Sequence, residues 1–479
     1  MSAARPPEGG HTAAEGGGVP RRALTPSAAL DDDGRPLWRA FLAFLVPMLG
    51  ANLLQSLSGT VNNIYLGQML GVHALAAVSS FFPVMFFFIA FTIGLGAGAS
   101  VLIGQAWGAG EVERARAVVG TTLTVGVLGG LAVALFGGLF TRPLLAALGT
   151  PADILPDATA YARIILVAMP GVFVFLLSTA MLRGVGDTVS PLLTLLISTV
   201  LGLLLTPALI RGWGGLPQPG VSSAAWATVV SFVVATAWLA WFLRRRRSPL
   251  APNAALARHL RIDAALLAKV LRVGLPTGIQ MIVVALAELA VLALVNRHGS
   301  QATAAYGAVN QVWGYVQFPA ISISIAASIL GAQAIGAGRL DRLGAIVRAG
   351  LGINLALTGS LVVLGYLFSR PLMGLFITSA PVVDMAQGLL HVGLWCCVVF
   401  GMAGIFSGIM RASGTVLVPT AVSVGCIALV ELPVAWLLDR HWGLAGIWAS
   451  YPAAFCAMLA LQSAYYRFVW RRRPIRRLV

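Results

Sequence analysis

The sequence predicts an all-α polytopic membrane protein, with twelve transmembrane helices in two homologous six-helix lobes around a central cavity. Three observations predict this class: the composition, the length of the apolar runs, and an internal repeat. Hydrophobic residues make up 58% of the 479 residues and charged residues only 10%, whereas a soluble domain carries about 25% charged residues. Such a chain cannot cover a water-facing surface, so soluble enzymes, disordered proteins and secreted disulfide scaffolds are excluded.

The apolar runs are continuous and about 20 residues long, the length at which a helix crosses the hydrocarbon core of a bilayer. A transmembrane β-barrel would instead alternate apolar and polar residues along short strands. Residues 1–36 are rich in Gly, Pro and Ala, and we expect them to form a disordered cytoplasmic tail. The predicted spans lie near 38–64, 73–102, 118–140, 160–182, 190–210, 221–243, 268–296, 302–332, 344–368, 386–410, 417–438 and 443–468.

The net charge of +16 is distributed unevenly over this topology. If both termini lie inside, 26 of the 32 Lys and Arg residues fall in the tails and even-numbered loops, and six in the odd-numbered loops. Cytoplasmic loops carry the excess of Lys and Arg, so the bias predicts a multi-pass protein of the bacterial inner membrane with both termini cytoplasmic. The arginine clusters 244–247 and 471–473 are then orientation signals and headgroup contacts, and we expect no nucleic acid as partner.

An internal repeat relates the two halves of the chain. The sequence QAWGAG at 105–110 recurs as QAIGAG at 333–338, a shift of 228 residues, and Arg142-Pro143-Leu144 recurs at the same shift. Six spans is an even number, so both halves enter the membrane in the same orientation and the repeat is parallel, as in several transporters. The predicted domains are the tail 1–36, the N-lobe 37–243, a basic cytoplasmic linker 244–267, the C-lobe 268–468 and a basic cytoplasmic tail 469–479.

Several short motifs follow one another along the chain. They are Pro47, Gln55 and Gly59 with 61–67 and 75–77, then 104–110 with Arg114, 181–188, Gly274-Leu275-Pro276, and 331–338. This set, in this order, resembles the multidrug and toxic compound extrusion (MATE) family of transporters. The resemblance extends from about residue 40 to 465. It implies a secondary antiporter that exports amphipathic or cationic organic compounds in exchange for protons or sodium ions by alternating access.

The resemblance also implies acidic residues at three positions that hold other residues here. Asn62 stands at the first-span aspartate position, Val284 at the seventh-span glutamate position and Phe400 at the tenth-span acidic position. Asparagine can offer a carbonyl oxygen to an ion, but it cannot take up a proton near neutral pH. The family's usual coupling acids therefore do not transfer to this chain.

Of the 16 acidic residues, only Glu288 and Glu431 lie inside predicted spans. A carboxylate at membrane depth is costly unless it faces a wet cavity, pairs or binds a proton, so such a group indicates a functional site. Glu288 shares a helical face with Gln280, and Glu431 precedes Pro433, which removes a helix donor. We predict that Glu288, Glu431 and Asn62 bind or couple the cation. For Glu288 the alternatives are a structural hydrogen bond between the lobes or a location nearer the outer interface, and for Glu431 the alternative is packing against the proline kink.

The eighth predicted span carries a mixed aromatic and amide stripe at intervals of four and three residues, which is one helical face. Aromatic rings attract organic cations, and amides orient a substrate without fixing its charge. The residues predicted to line the substrate cavity are Gln55, Gln280, Tyr306, Asn310, Gln311, Trp313 and Gln317. Polar contact between helices is the alternative for this stripe.

The sequence contains no nucleotide fingerprint, His/Cys metal cluster or Ser/His/Asp set. We therefore expect no catalytic residues, metal or cofactor, and a proton or sodium gradient as the energy source. The expected partners are small organic substrates, the ion and the lipid bilayer, and we expect a monomer. A lipid-linked oligosaccharide or lipid flippase of the same superfamily is the runner-up, although mid-span positions without Lys or Arg count against an anionic pyrophosphate cargo. A membrane-embedded enzyme would need clustered catalytic residues.

Overall fold

The computed structural model describes residues 37–479, so the expectation for 1–36 lies outside the described residues. Within the described part the chain is helical and forms no strand. Eleven helices there are long and apolar enough to cross a membrane. A pair of shorter helices, bent by 55° at their junction, makes a twelfth span if the two arms are taken together. The predicted all-α polytopic class is confirmed.

Seven helices form the N-lobe, the half of the chain before the linker. They are α1 (Leu37–Tyr65), α2 (Val72–Gly108), α3 (Val112–Ala147), α4 (Leu155–Val167), α5 (Met169–Gly184), α6 (Val189–Arg211) and α7 (Ser222–Arg245). The bent pair is α4 and α5. Pro170 lies in the first turn of α5, and because proline has no N–H it cannot continue the hydrogen bonds of α4 across the junction.

The linker holds one short helix and the C-lobe the remaining nine. They are α8 (Ala254–Ala257) in the linker, followed by α9 (Ala264–Asn296), α10 (Ser300–Gly336), α11 (Arg342–Leu367), α12 (Ser369–Gly374), α13 (Ala380–Gly393), α14 (Cys396–Ala412), α15 (Leu417–Cys426), α16 (Leu432–Trp442) and α17 (Leu444–Phe468). A π-helical turn, Ile427–Glu431, joins α15 to α16. Asp263 begins α9, because its carboxylate accepts the free backbone N–H groups of Ala265 and Leu266.

Three apolar clusters divide the interior. One contains residues of both lobes, such as Leu102 and Ile409, together with Leu256 of the linker and Trp470 after α17. The other two are confined to the outer part of the C-lobe and of the N-lobe. The lobes therefore share a core on the side of the membrane that holds the linker, called here the linker side. Toward the opposite side, called the open side, each lobe has its own core, and the space between these two cores is called here the cleft.

Helices α2 and α9 cross at glycine residues, which let the two backbones touch. A Cβ atom built on Gly94 would lie 2.6 Å from the carbonyl oxygen of Gly274, and one on Gly274 would lie 2.6 Å from that of Gly94. Small residues permit this close approach in membrane helices. The crossing joins the lobes between the shared core and the cleft.

Candidate functional site

The two carboxylates predicted at membrane depth both belong to the C-lobe. Glu288 lies on α9, and Glu431 is the last residue of the π turn, which packs against α9. The two residues therefore lie on neighbouring segments of the lobe. Glu431 is 4% exposed, whereas the side chain of Glu288 is exposed at the surface of its helix. One carboxylate is thus enclosed by the lobe and the other is accessible.

Two tyrosines complete this polar group. The hydroxyls of Tyr306 on α10 and Tyr451 on α17 lie 3.4 Å apart, and both interact with the charges of the two glutamates. Asn310 lies one helical turn after Tyr306 on α10. The C-lobe polar cluster is defined by Glu288, Tyr306, Asn310, Glu431 and Tyr451. It brings oxygen atoms from four separate helical segments to one location, a donor set that suits a proton or a hard cation.

Aromatic rings enclose the cluster. The ring of Trp448 lies 5.3 Å from that of Tyr306 and 5.7 Å from that of Trp313, both edge to face. The indole N–H of Trp448 is buried and has no hydrogen-bond partner among residues 37–479. The rings therefore cover the Tyr306 side of the cluster, while the side chain of Glu288 stays accessible.

The π turn explains how Glu431 reaches this position. Pro433, two residues later, lacks the N–H that a regular helix would use, so the backbone ladder is interrupted here. A π turn inserts one extra residue and rotates the following side chains relative to an α-helix; such turns recur at functional sites. The sequence predicts an opened backbone next to Glu431, and the structure has one in this form.

The predicted N-lobe residue has a different environment. The side-chain oxygen of Asn62 on α1 accepts a hydrogen bond from the hydroxyl of Thr206 on α6, at 3.2 Å. Thr206 is buried within the lobe. In this conformation Asn62 joins two N-lobe helices, and it is separate from the C-lobe polar cluster. Its assignment to ion coupling stays a prediction.

The predicted aromatic and amide stripe of α10 is partly buried in this conformation. Tyr306 and Trp313 are only 5% and 7% exposed, because their rings pack against α17 and not toward the cleft. The accessible face of α10 carries Gln311 and Tyr315, whose side chains are hydrogen-bonded at 3.2 Å. The remaining predicted lining residues are accessible to different degrees. Gln55 is exposed, and Gln280, Asn310 and Gln317 are half-buried.

Sequence reasoning did not find three residues of the site: Tyr315, Trp448 and Tyr451. Trp448 and Tyr451 lie three residues apart in α17, with Pro452 directly after them. Two aromatic residues on one face beside a helix-breaking proline are a signal that could have pointed to this segment. Tyr315 could have been found from the i, i+4 spacing with Gln311.

The repeated QA-x-GAG motif closes the linker side. The amide of Gln105 on α2 donates to the carbonyl of Ala412 at the end of α14, at 2.7 Å. The amide of Gln333 on α10 donates to the carbonyl of Gly184 at the end of α5, at 3.0 Å. Donors and acceptors are related by the same shift of 228 residues. The two bonds form a reciprocal pair between the lobes, called here the glutamine clamp.

Two further contacts extend the clamp. A Cβ on Gly108 would overlap the backbone carbonyl of Gln333, and a Cβ on Gly336 would overlap that of Gln105. Closer to the cleft, the amide of Asn52 on α1 donates to the hydroxyl of Ser322 on α10, at 3.0 Å. The lobes are therefore joined from the linker side to about the middle of α1 and α10.

The two-lobed arrangement matches a known family. The MatE family model matches residues 47–208 and again residues 276–437, once in each lobe. The chain belongs to the MatE family. The resemblance found in the sequence is thereby confirmed, and so is the double occurrence that the internal repeat requires. MatE proteins of this kind are multidrug efflux transporters of the membrane.

Relatives of this MatE protein cover nearly its whole length. It is 46% identical to the probable multidrug resistance protein YoeA of Bacillus subtilis, over 92% of this chain and 96% of that one. It is 24% identical to the multidrug export protein MepA of Staphylococcus aureus, over 90% and 94% of the two chains. A solved structure described as an outward-facing multidrug resistance MATE family transporter has the same fold, with a TM-score of 0.83 at 22% identity over 90% and 95% of the chains.

Proposed function

We propose that this MatE protein is a secondary active antiporter that exports amphipathic or cationic organic compounds in exchange for protons or sodium ions. The names of YoeA and MepA, a multidrug resistance protein and a multidrug export protein, support the direction and the cargo. The observation that carries ion coupling is the C-lobe polar cluster, in which two carboxylates and two phenol groups share one location at membrane depth.

The linker side is the cytoplasmic side of a bacterial inner membrane in this proposal. The excess of Lys and Arg in the linker and in the segment after α17 supports that orientation. The cleft then opens to the outside, and the glutamine clamp closes the inside. A similar solved structure is described as outward-facing. Alternating access follows from rocking the two lobes about the crossing of α2 and α9.

Ion binding acts on the C-lobe in this scheme. Two carboxylates at close range repel each other unless a proton or a cation lies between them. Binding therefore draws Glu288 on α9 toward Glu431 on the π turn. Because Tyr306 of the cluster lies on α10, the same movement shifts the opposite face of α10, where Gln311 and Tyr315 meet the cleft. Ion binding at one face of α10 thus disfavours substrate binding at the opposite face of the same helix.

The test compares gradient-driven dye efflux from vesicles under an imposed proton gradient and an imposed sodium gradient. We expect one gradient to drive efflux, and Glu288→Gln and Glu431→Gln each to reduce it by at least about tenfold, since each removes a charge that the ion must balance. Glu111→Gln is the matched control, because Glu111 forms an ion pair with Arg114 on the linker side, far from the cluster. Full gradient-driven efflux by the Glu288→Gln, Glu431→Gln double variant would contradict the proposal.

A further inference from the structure

The segment after α17 folds back onto the linker side of the protein. A 3₁₀ turn, Trp470–Arg472, follows the helix. Trp470 is buried, and its indole N–H donates to the hydroxyl of Ser413 in the loop between α14 and α15, at 3.0 Å. Val479 is buried as well. Residues 470–479 are called here the strap.

The strap reaches the glutamine clamp. The backbone N–H of Leu478 donates to the side-chain oxygen of Gln105 at 2.7 Å. The backbone carbonyl of Leu478 accepts from the ammonium of Lys269 on α9, at 2.6 Å. Its side chain lies over Gly414, where a Cβ would come within 2.8 Å of it and where the backbone has φ +82°. One residue of the strap thus binds a clamp residue of the N-lobe and two elements of the C-lobe.

This contact breaks the symmetry of the clamp. Gln105 and Gln333 are equivalent by the repeat and make equivalent bonds to the opposite lobe. The bond from the strap falls on Gln105. Both polar atoms of the Gln105 amide are therefore engaged, one by α14 and the other by the strap. The strap, which the transport scheme does not use, occupies the very groove that must open when the lobes rock.

We propose that the strap is a latch on the linker-side gate, and that Leu478 must leave Gln105 before this side opens. Rocking separates α2 from α14, which breaks the bond from Gln105 to Ala412. The bond from Leu478 to Gln105 joins the same two lobes, so it breaks in the same movement. A contact that forms in only one of two conformations lowers the free energy of that conformation and so raises its population. The strap therefore favours the conformation that is closed on the linker side.

The test measures the population of the two conformations directly. Spin labels are placed at Val72→Cys and Ser300→Cys, which are exposed and equivalent by the repeat at the open-side ends of α2 and α10, in a chain with Cys456→Ser. Leu478→Pro removes the N–H that donates to Gln105. We expect the short-distance population, in which the open side has closed, to rise by about threefold to tenfold, the equivalent of one net hydrogen bond. Leu478→Ala keeps that N–H and is the control, with a smaller rise.

A double-mutant comparison separates a latch from a purely structural contact. The effect of Leu478→Pro must vanish when Gln105→Ala has already removed the acceptor, and it must persist in Gln333→Ala. Lys269→Met provides a second, independent variant and is expected to shift the populations in the same direction. The proposal is overturned if neither Leu478→Pro nor Lys269→Met changes the distance distribution. It is also overturned if these variants only lower the melting temperature, or if the Leu478→Pro effect is unchanged in Gln105→Ala.

Discussion

Gly393 is the residue whose missing side chain lets two tryptophans meet beside the carboxylates. A Cβ at this position of α13 would lie 2.6 Å from the indole nitrogen of Trp448 and 2.7 Å from the ring of Trp313. Both rings are held on their other sides by Tyr451. Neither can move away without disturbing the C-lobe polar cluster. The packing of the site thus depends on the absence of a Cβ atom at position 393.

We expect Gly393→Ala to destabilise the protein by about 1–3 kcal/mol, as overpacked cores do, and to slow efflux because the aromatic wall is displaced. Gly388→Ala in the same helix is the control. A Cβ there meets nothing within 4 Å, so the better helix former stabilises by about 0.5–1 kcal/mol. Thermal unfolding in detergent measures both. Equal melting temperatures for the two variants would show that the packing argument is wrong.

At the residue scale, the sequence points to the carboxylates but not to their neighbours. Glu288 and Glu431 stand out because charged residues are rare at membrane depth. Tyr451 and Trp448 do not, because an aromatic residue in an apolar helix is ordinary. Which ring faces which helix depends on the rotation of α17 against α10. Hydrophobic periodicity defines a face of one helix but not the partner that it meets.

The same limit applies to the stripe on α10. Its 3.6-residue period places Tyr306, Asn310, Trp313 and Gln317 on one face, and they do share one. In this conformation the two aromatic residues of that face are buried, and their assignment to the cavity lining stays a prediction. Their large rings gain more by packing inside the lobe than by lining a wet surface. The smaller face with Gln311 is left for the cleft.

At the element scale, the π turn controls the orientation of Glu431. Pro433→Ala restores the missing N–H, so that the segment can become a regular α-helix, with Glu431 rotated away from Glu288. We expect gradient-driven efflux to fall by about tenfold, while the melting temperature stays the same or rises, because proline inside a helix costs about 3 kcal/mol.

Pro143→Ala is the control for that prediction. Pro143 lies exposed within α3, remote from the C-lobe polar cluster, and its replacement should leave efflux unchanged. Vesicle efflux and thermal unfolding are measured on the same preparations. If Pro433→Ala transports like the original chain, the π turn does not position the carboxylate.

Hydropathy predicts where helices cross the membrane better than where they end. The second and eighth spans are predicted at 73–102 and 302–332, but α2 continues to Gly108 and α10 to Gly336. The extra turns carry the QA-x-GAG motif. Its polar and small residues lower the local hydropathy, although the backbone stays helical, so hydropathy ends the span too early. The span predicted at 160–182 is likewise two helices that meet at a bend. That break is caused by Pro170, which has no N–H to continue the helix, and the length of the apolar run does not reveal it.

At the scale of the whole molecule, the order and orientation of the two lobes are predicted by the 228-residue shift of the repeat. This prediction requires no knowledge of which residues are in contact. The conformation is not predicted, because inward-open and outward-open states share one sequence and one hydropathy profile. The domain boundaries drawn from the sequence, including the linker at 244–267, stay predictions. The linker helix nevertheless contributes Leu256 to the shared core, so the linker is packed against the lobes.

The proposed sidedness rests on the closed clamp and the charge distribution together. In intact cells, a membrane-impermeant thiol reagent should label Val72→Cys on the open side and leave Ala337→Cys, beside the clamp, unlabelled. Inside-out vesicles should give the reverse. Both positions are accessible in the structure, and Cys456→Ser removes the exposed native thiol. Labelling of both positions from the same side would refute the proposed orientation.

The glutamine clamp has a consequence for leakage. Its two bonds are equivalent by the repeat and both join the linker-side ends of the lobes, so a rigid rocking that separates these ends stretches both bonds. A state with one bond broken and the other intact would require one lobe to deform, while one of the two bonds would still hold the lobes together. Opening is therefore cooperative, and a partly open pore is disfavoured. In the proposed antiport cycle, the duplicated motif would thereby limit leakage of ions through a half-open linker side.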